Sequence, residues 1–204
     1  MPAHVRPPAI QHDPSLARQD VAGPPDAVSP PYPVYLQGWV TRGFGRGSKD
    51  LGCPTANLPD SSIQDVPLET GVHFGFARVL FDGEDAVLPM VMSIGWNPFY
   101  NNDTRTAEVH VLHEYPGDFY GKELRVVVLG FVRPEYNYAS MDALIKDINH
   151  DKLVALNSVS SDRPVYAAYA QDPFFTKPST LEPLPAGEDP SRPREKPVDA
   201  GVHA

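Results

Sequence analysis

The chain has 204 residues, 24 of them proline, a single cysteine and a formal net charge of −9. The lone Cys53 excludes an internal disulfide framework and a cysteine-built zinc site, and the acidic balance speaks against generic binding to nucleic-acid phosphates. No apolar run reaches the ~18 residues that span a bilayer, and none forms a secretory signal at the start, so an intracellular, cytoplasmic protein is expected.

In chain order, residues 1–33 come first, with nine prolines and one aromatic residue, Tyr32. So little large apolar surface cannot offset ordering entropy, so 1–33 is expected to be a disordered extension. Strands are expected at Val34–Thr41, Val72–Phe81, Val87–Ile94, Thr106–His113 and Glu123–Val132, which are rich in β-branched and aromatic residues. Leu58-Pro-Asp60, Asp82-Gly83, Asn97-Pro98 and Pro116-Gly-Asp118 mark turns between them. No helix intervenes, which predicts an antiparallel barrel or sandwich. Ser140 then caps one helix, whose Met141, Leu144, Ile145 and Ile148 form an apolar face and whose end is expected between Asn149 and Leu156. Val165–Phe175, with four aromatic residues, is expected to pack back on the domain as an arm. Residues 177–204, again proline-rich, are expected to be a second disordered end, which leaves one domain over 34–176.

Three segments carry residue types suited to chemistry. Gly43-Phe-Gly-Arg-Gly-Ser-Lys49 has glycines at 43, 45 and 47, whose backbone N–H groups can turn toward an anion, with Arg46 and Lys49 adding positive charge. It is equally a glycine-rich hairpin turn, and it matches neither the Walker A nor the dinucleotide pattern. In Pro54-Thr-Ala-Asn57, Thr55 and Asn57 share one side of an extended segment and offer hard oxygen donors suited to Mg²⁺. The plainer reading is a turn held by their side chains. In Thr106–His113, Glu108 and His110 share one face and Ala107, Val109 and Val111 the other. A carboxylate facing inward is costly unless paired or functional, and a base is then a natural role. The alternative is an outward-facing surface pair.

Together these segments resemble riboflavin kinases of the monofunctional eukaryotic type. The resemblance runs from about Val34 to Phe175. It is carried by Gly43–Asn57, Ser93-Ile-Gly-Trp-Asn-Pro-Phe-Tyr100, Asp118-Phe-Tyr-Gly-Lys122, Arg133-Pro-Glu135 and Asp172-Pro-Phe-Phe175. It implies a mainly β, six-stranded Greek-key-type antiparallel barrel with one C-terminal helix, and the reaction riboflavin + ATP → FMN + ADP. It also implies roles: Glu108 as the catalytic carboxylate and Thr55 and Asn57 as metal ligands. Gly43, Gly45, Arg46, Gly47, Lys49, Thr55, Val111, His113 and Tyr120 would lie about ATP, and Arg133, Tyr136 and Tyr138 would close over the flavin. Mg²⁺ is expected, with Zn²⁺ or Mn²⁺ also compatible with such oxygen ligands. The partners expected are small-molecule substrates and no nucleic acid, with a monomer as the working unit. Two other readings stay open: a flavin- or nucleotide-binding barrel without catalysis, and a kinase on the same scaffold using another donor such as CTP. Every residue so assigned lies between Gly43 and Tyr138, so both proline-rich ends are expected to be dispensable for chemistry.

Overall fold

The computed structural model describes residues 10–43, 54–81, 86–96 and 105–192. Its strands are β1 (Ile10–Gln11), β2 (Val34–Trp39), β3 (Ala56–Asn57), β4 (Gly71–Leu80), β5 (Leu88–Trp96), β6 (Arg105–Val111), β7 (Glu123–Arg133) and β8 (Tyr136–Asn137). Two helices follow, α1 (Met141–Ser158) and α2 (Pro164–Ala167). The five expected strands are all present, each with ends within two residues of those expected.

Six strands form one antiparallel sheet in the order β2-β7-β4-β5-β6-β3. β4, β5 and β6 make a meander, and β7 returns to lie beside β4, which is the Greek-key order. The sheet curls until its edges meet. Just past β2, the Thr41 N–H donates to the Asn57 carbonyl at 3.0 Å, bridging to β3. Met90, Met92 and Ile94 of β5 and Ala107, Val109 and Val111 of β6 point into the barrel, which they fill with the apolar residues of β4 and β7. Strand alternation therefore puts Glu108 and His110 on the outer face, and the outward-facing reading holds for this pair.

A second core covers part of that outer face. Phe74, Phe76, Val127 and Leu129 pack against Val154 and Ala155 of α1 and against Tyr166 and Phe175 of the expected arm. Complete burial of rings such as Phe74 and Tyr166 contributes on the order of 1.5–3 kcal/mol each. Ser140 caps α1 as expected, its Oγ accepting from the Ala143 N–H at 3.2 Å. The helix runs two residues beyond the expected end, and its packed face differs from the expected one. Met141 is 59% exposed, whereas Asp147, Asp151, Val154, Ala155 and Ser158 are buried. Two aspartates can occupy a buried helix face because Arg18 and Arg133 neutralise them.

Of the two ends expected to be disordered, residues 10–33 and 177–192 make contacts with the domain. The first segment crosses the helical side of the barrel. Ala22 is buried, and its N–H donates to Ser158 Oγ at 2.8 Å. Arg163 donates to the carbonyls of Ala22 and Gly23, at 2.6 and 2.8 Å, and Tyr166 Oη to that of Ala27 at 3.1 Å. The second segment follows β2: Trp39 Nε1 donates to the Glu182 carbonyl and the Arg42 N–H to that of Pro190, both at 2.9 Å. Proline makes such ordering less costly, since it has already restricted the unfolded chain. Side-chain and main-chain donors of the domain then hold backbone that has few apolar groups of its own. Residues 1–9 and 193–204 lie outside the described residues.

Candidate active site

A cleft of ≈ 1050 Å³ opens beside the seam where β2 and β3 meet. Its walls are the end of β2, the segment Pro54–Asn57, the second half of β6 and the turn that follows, and one side of α1 through Lys152 and Leu156. Gly43, Thr55, Asn57, Val111, His113 and Tyr120 all line it, so the described candidates for metal and nucleotide contact converge there; Glu108 is not among the lining residues. Gly45, Arg46, Gly47 and Lys49 lie outside the described residues.

The seam is tightly specified. β3 pairs with β6 through only two residues, Ala56↔Val109 and Asn57↔Glu108. Cross-strand partners point the same way, so Asn57 and Glu108 share the outer face, and Thr55 joins them two residues earlier. The Thr55 hydroxyl donates to Glu108 Oε2 at 3.0 Å. His110, two residues further along β6, donates from Nδ1 to the Pro54 carbonyl at 2.7 Å. Burial pushes its pKa down, the Pro54 carbonyl opposes this, and Lys152 adds to the fall. Two side chains of β6 thus extend a two-residue ladder toward Pro54. At Gly43 a Cβ would stand 2.7 Å from both terminal atoms of the Asn57 side chain. Only glycine lets the backbone entering the glycine-rich loop come so close to Asn57.

Val111 contributes no side chain to the cleft chemistry: it is buried in the barrel, and its carbonyl accepts from the His113 N–H at 2.8 Å. Tyr115 and Lys152 are wall residues that the sequence did not mark. Tyr115 packs edge-on between His113 and Phe119, with ring centroids 4.7 and 4.8 Å away. Its signal was an aromatic residue between turn-forming neighbours in Glu114-Tyr-Pro116. Lys152 was missed because the polar side of α1 reads as solvent-facing.

Arg133, Tyr136 and Tyr138 do not line this cleft. They form a cluster of their own. The Arg133 guanidinium lies 5.2 Å from the Tyr136 ring centre and 5.9 Å from that of Tyr138. It also grips Asp151 in a bidentate pair, Nε to Oδ1 at 3.0 Å and Nη2 to Oδ2 at 2.7 Å. Burial disfavours its charge, but Asp151 outweighs that and raises its pKa. The Tyr138 hydroxyl donates to Asp147 Oδ2 at 2.7 Å, and burial with this bond pushes the phenol pKa up.

Strand register relates the two places. Glu108 pairs with Ser93, Ser93 with Val72 and Val72 with Arg133. Glu108 and Arg133 therefore end one row, three strand spacings or roughly 14 Å apart. Ser93 is the small residue of that row, and Gly95 lies two residues further along β5, opposite Thr106. Gly95 leaves room for the Glu135 carboxylate, which any Cβ there would strike.

The family model for riboflavin kinase (flavokinase) matches residues 30–159, more than half of the chain. The chain belongs to the riboflavin kinase family. A riboflavin kinase of Meyerozyma guilliermondii is 42% identical over 170 residues, covering 71% of this chain and 93% of the relative. One from Pyricularia oryzae is 46% identical over 160 residues, covering 71% and 80%. A bifunctional riboflavin kinase/FMN phosphatase of Arabidopsis thaliana is 46% identical over 147 residues, but the match covers only 38% of that longer protein. The crystal structure of riboflavin kinase from Trypanosoma brucei superposes with a TM-score of 0.59 at 26% identity, covering 74% of this chain and 93% of that one. The barrel with a single main helix is thus the riboflavin kinase fold. The residues before position 30, including the segment from Ile10 on, lie outside the family match.

Proposed function

We infer that the chain is a riboflavin kinase, a transferase that moves the γ-phosphoryl group of ATP to the ribityl 5′-hydroxyl of riboflavin and releases FMN and ADP. The observation that carries the mechanism is the Thr55–Glu108 hydrogen bond at the edge of the cleft. Through Thr55, which lines the cleft, this bond ties Glu108, on the outer row leading to Arg133, to the cleft wall.

In this reading ATP occupies the cleft, with its phosphates toward Gly43 and the glycine-rich loop. Backbone N–H groups there would take the phosphate oxygens. His113, Tyr115 and Tyr120 form the aromatic wall available to the rest of the nucleotide. Riboflavin would lie along the outer row, with its ring system toward Arg133, Tyr136 and Tyr138 and its ribityl end toward Glu108. Glu108 accepts or orients the proton of the hydroxyl as the phosphoryl group passes in line. Such transfer depends mainly on positioning and charge neutralisation.

The donor set at the seam suits a divalent cation that prefers hard oxygen ligands. The Thr55 hydroxyl, the Asn57 amide and the adjacent Glu108 carboxylate offer oxygen and no sulfur. Thr55 and Asn57 would hold Mg²⁺ together with nucleotide phosphates; the ion would neutralise charge that develops on the transferring group. No cluster of three or more His, Cys, Asp or Glu suited to a metal is present among the described residues. Metal binding is therefore tied to nucleotide in this reading, and Glu108 stays available to the acceptor hydroxyl.

The direct test is to incubate the protein with riboflavin, ATP and Mg²⁺ and to follow FMN by chromatography. Formation of FMN and ADP in equal amounts is expected. Absence of FMN from folded protein would overturn the kinase reading.

A further inference from the structure

We propose that the N-terminal segment from Ile10 to Pro33 is a working part of the flavin side of the enzyme, with Arg18 as its positioning residue. The inference rests on the reading that Arg133, Tyr136 and Tyr138 face the flavin. The argument begins with the backbone. β1 adds a parallel strand to β8, pairing Ile10 with Tyr136 and Gln11 with Asn137, and the His12 N–H donates to the Asn137 carbonyl at 3.0 Å. The His12 ring then lies 4.9 Å from that of Tyr138 and 5.9 Å from that of Tyr136. The turn that carries both tyrosines thus has part of its hydrogen bonding and packing supplied by residues before position 13.

Arg18 supplies the electrostatic half. Its Nη1 lies 3.1 Å from Asp147 Oδ1, and its Nη2 pairs with Asp151 Oδ1. These are the same two carboxylates that hold the neighbouring site residues: Asp151 grips Arg133, and Asp147 accepts from Tyr138. Two buried carboxylates are thus balanced by two guanidiniums, one from β7 and one from the N-terminal segment. Without Arg18 a single guanidinium and the His12 ring, whose Nε2 lies 3.5 Å from Asp147 Oδ2, face two buried anions. An uncompensated buried charge is costly, and Arg133, whose Nε already stands 4.0 Å from Asp147 Oδ2, would relieve it by turning further toward that aspartate. That movement would draw Arg133 away from Tyr136 and loosen the Tyr138–Asp147 bond. Arg18 therefore sets the Arg133 rotamer and the Tyr136–Tyr138 turn through carboxylates of α1, without touching substrate.

The rest of the segment has separate anchors. Asn157 donates to the Asp20 carbonyl at 2.9 Å, and Arg163 holds Ala22 and Gly23. A point change at Arg18 can thus be read without removing the whole strap.

The test measures kcat, KM for riboflavin and KM for ATP in the full chain for Arg18→Ala, Arg18→Lys and Tyr136→Ala. All are assayed well below each variant's melting temperature. Coupling through residues that contact no ligand predicts a riboflavin KM raised roughly 2- to 30-fold in Arg18→Ala, with the ATP KM unchanged. Arg18→Lys recovers part of the loss, because the charge returns without the forked geometry. A lowered melting temperature with both KM values unchanged would overturn the inference and leave the segment a structural strap. If Arg18→Ala does not fold, Arg18→Lys carries the same test: a raised riboflavin KM alone supports the inference, and unchanged values overturn it. Tyr136→Ala separates the two readings. If it raises the riboflavin KM and Arg18→Ala does not, the inference falls and the flavin-site reading stands. If Arg18→Ala raises it and Tyr136→Ala does not, the segment acts on flavin binding through other residues of the turn. If neither does, both fall.

Discussion

His73 shows how one buried side chain sets a pH dependence apart from catalysis. It is fully buried on β4, where Nε2 donates to the Glu69 carbonyl at 3.0 Å and Nδ1 accepts from the Tyr32 hydroxyl at 3.2 Å. Burial lowers its pKa from 6.5 to about 4, with the Glu69 carbonyl opposing and the charge of Arg105 adding to the fall. Between those values the unfolded chain binds a proton that the native chain refuses, so native stability is full above pH 6.5 and falls as pH drops toward 4. At about 1.4 kcal/mol per pH unit the loss amounts to roughly 3 kcal/mol. Urea unfolding followed between pH 7.5 and 4 should show this slope, and His73→Gln should flatten it. An equal slope in the variant would assign the effect to other groups. The sequence marked neither this histidine nor Arg18, because their partners are far off in the chain. Arg18 and Asp151 are 133 positions apart, and no local pattern encodes that distance.

Elements were legible where periodicity is long. β2, β4, β5, β6 and β7 each run for six residues or more, enough for alternation to show. β3 has two residues and is defined by tertiary pairing alone, although its chemistry was legible as two oxygen donors on one side of an extended segment. The apolar face of α1 was assigned to Met141, Leu144, Ile145 and Ile148, because a hydrophobic pattern has no means of showing aspartates neutralised by arginines from elsewhere. The contacts of the proline-rich tail are not legible in the sequence for a related reason: its partners are donors on β2 and beside it, not apolar surface. Gln37 donates to Thr180, Trp39 to Glu182 and Arg42 to Pro190, so the tail reaches the backbone that enters the glycine-rich loop. Pro190 and Leu184 also pack at Gly121, next to Tyr120 of the cleft wall. Ending the chain after Lys177 is therefore expected to raise the KM for ATP and leave that for riboflavin unchanged. Steady-state kinetics with each substrate varied in turn would check this, and an unchanged ATP KM would show that the tail is dispensable to the nucleotide site.

For the molecule as a whole, the sheet separates two tasks and its outer face joins them. The seam of the barrel carries the cleft, and α1 with the N-terminal segment braces the Arg133 turn. A row through Ser93 and Val72 runs between the two. The residues lining the cleft were legible in the sequence, since their motifs are contiguous. The Arg133 end was less legible, since Arg133, Tyr136 and Tyr138 acquire their geometry from α1 and from residues before position 30. Glu108 stands at the meeting point, hydrogen-bonded to Thr55 and in register with Ser93. Its role can be measured in a single comparison: the rate of FMN formation by Glu108→Gln and by the unaltered protein, each saturated with ATP, Mg²⁺ and riboflavin. Removal of the base predicts a fall of ~10²–10⁴-fold with nucleotide binding retained. A Gln variant as fast as the unaltered protein would contradict the assignment of Glu108 as the group that takes the proton.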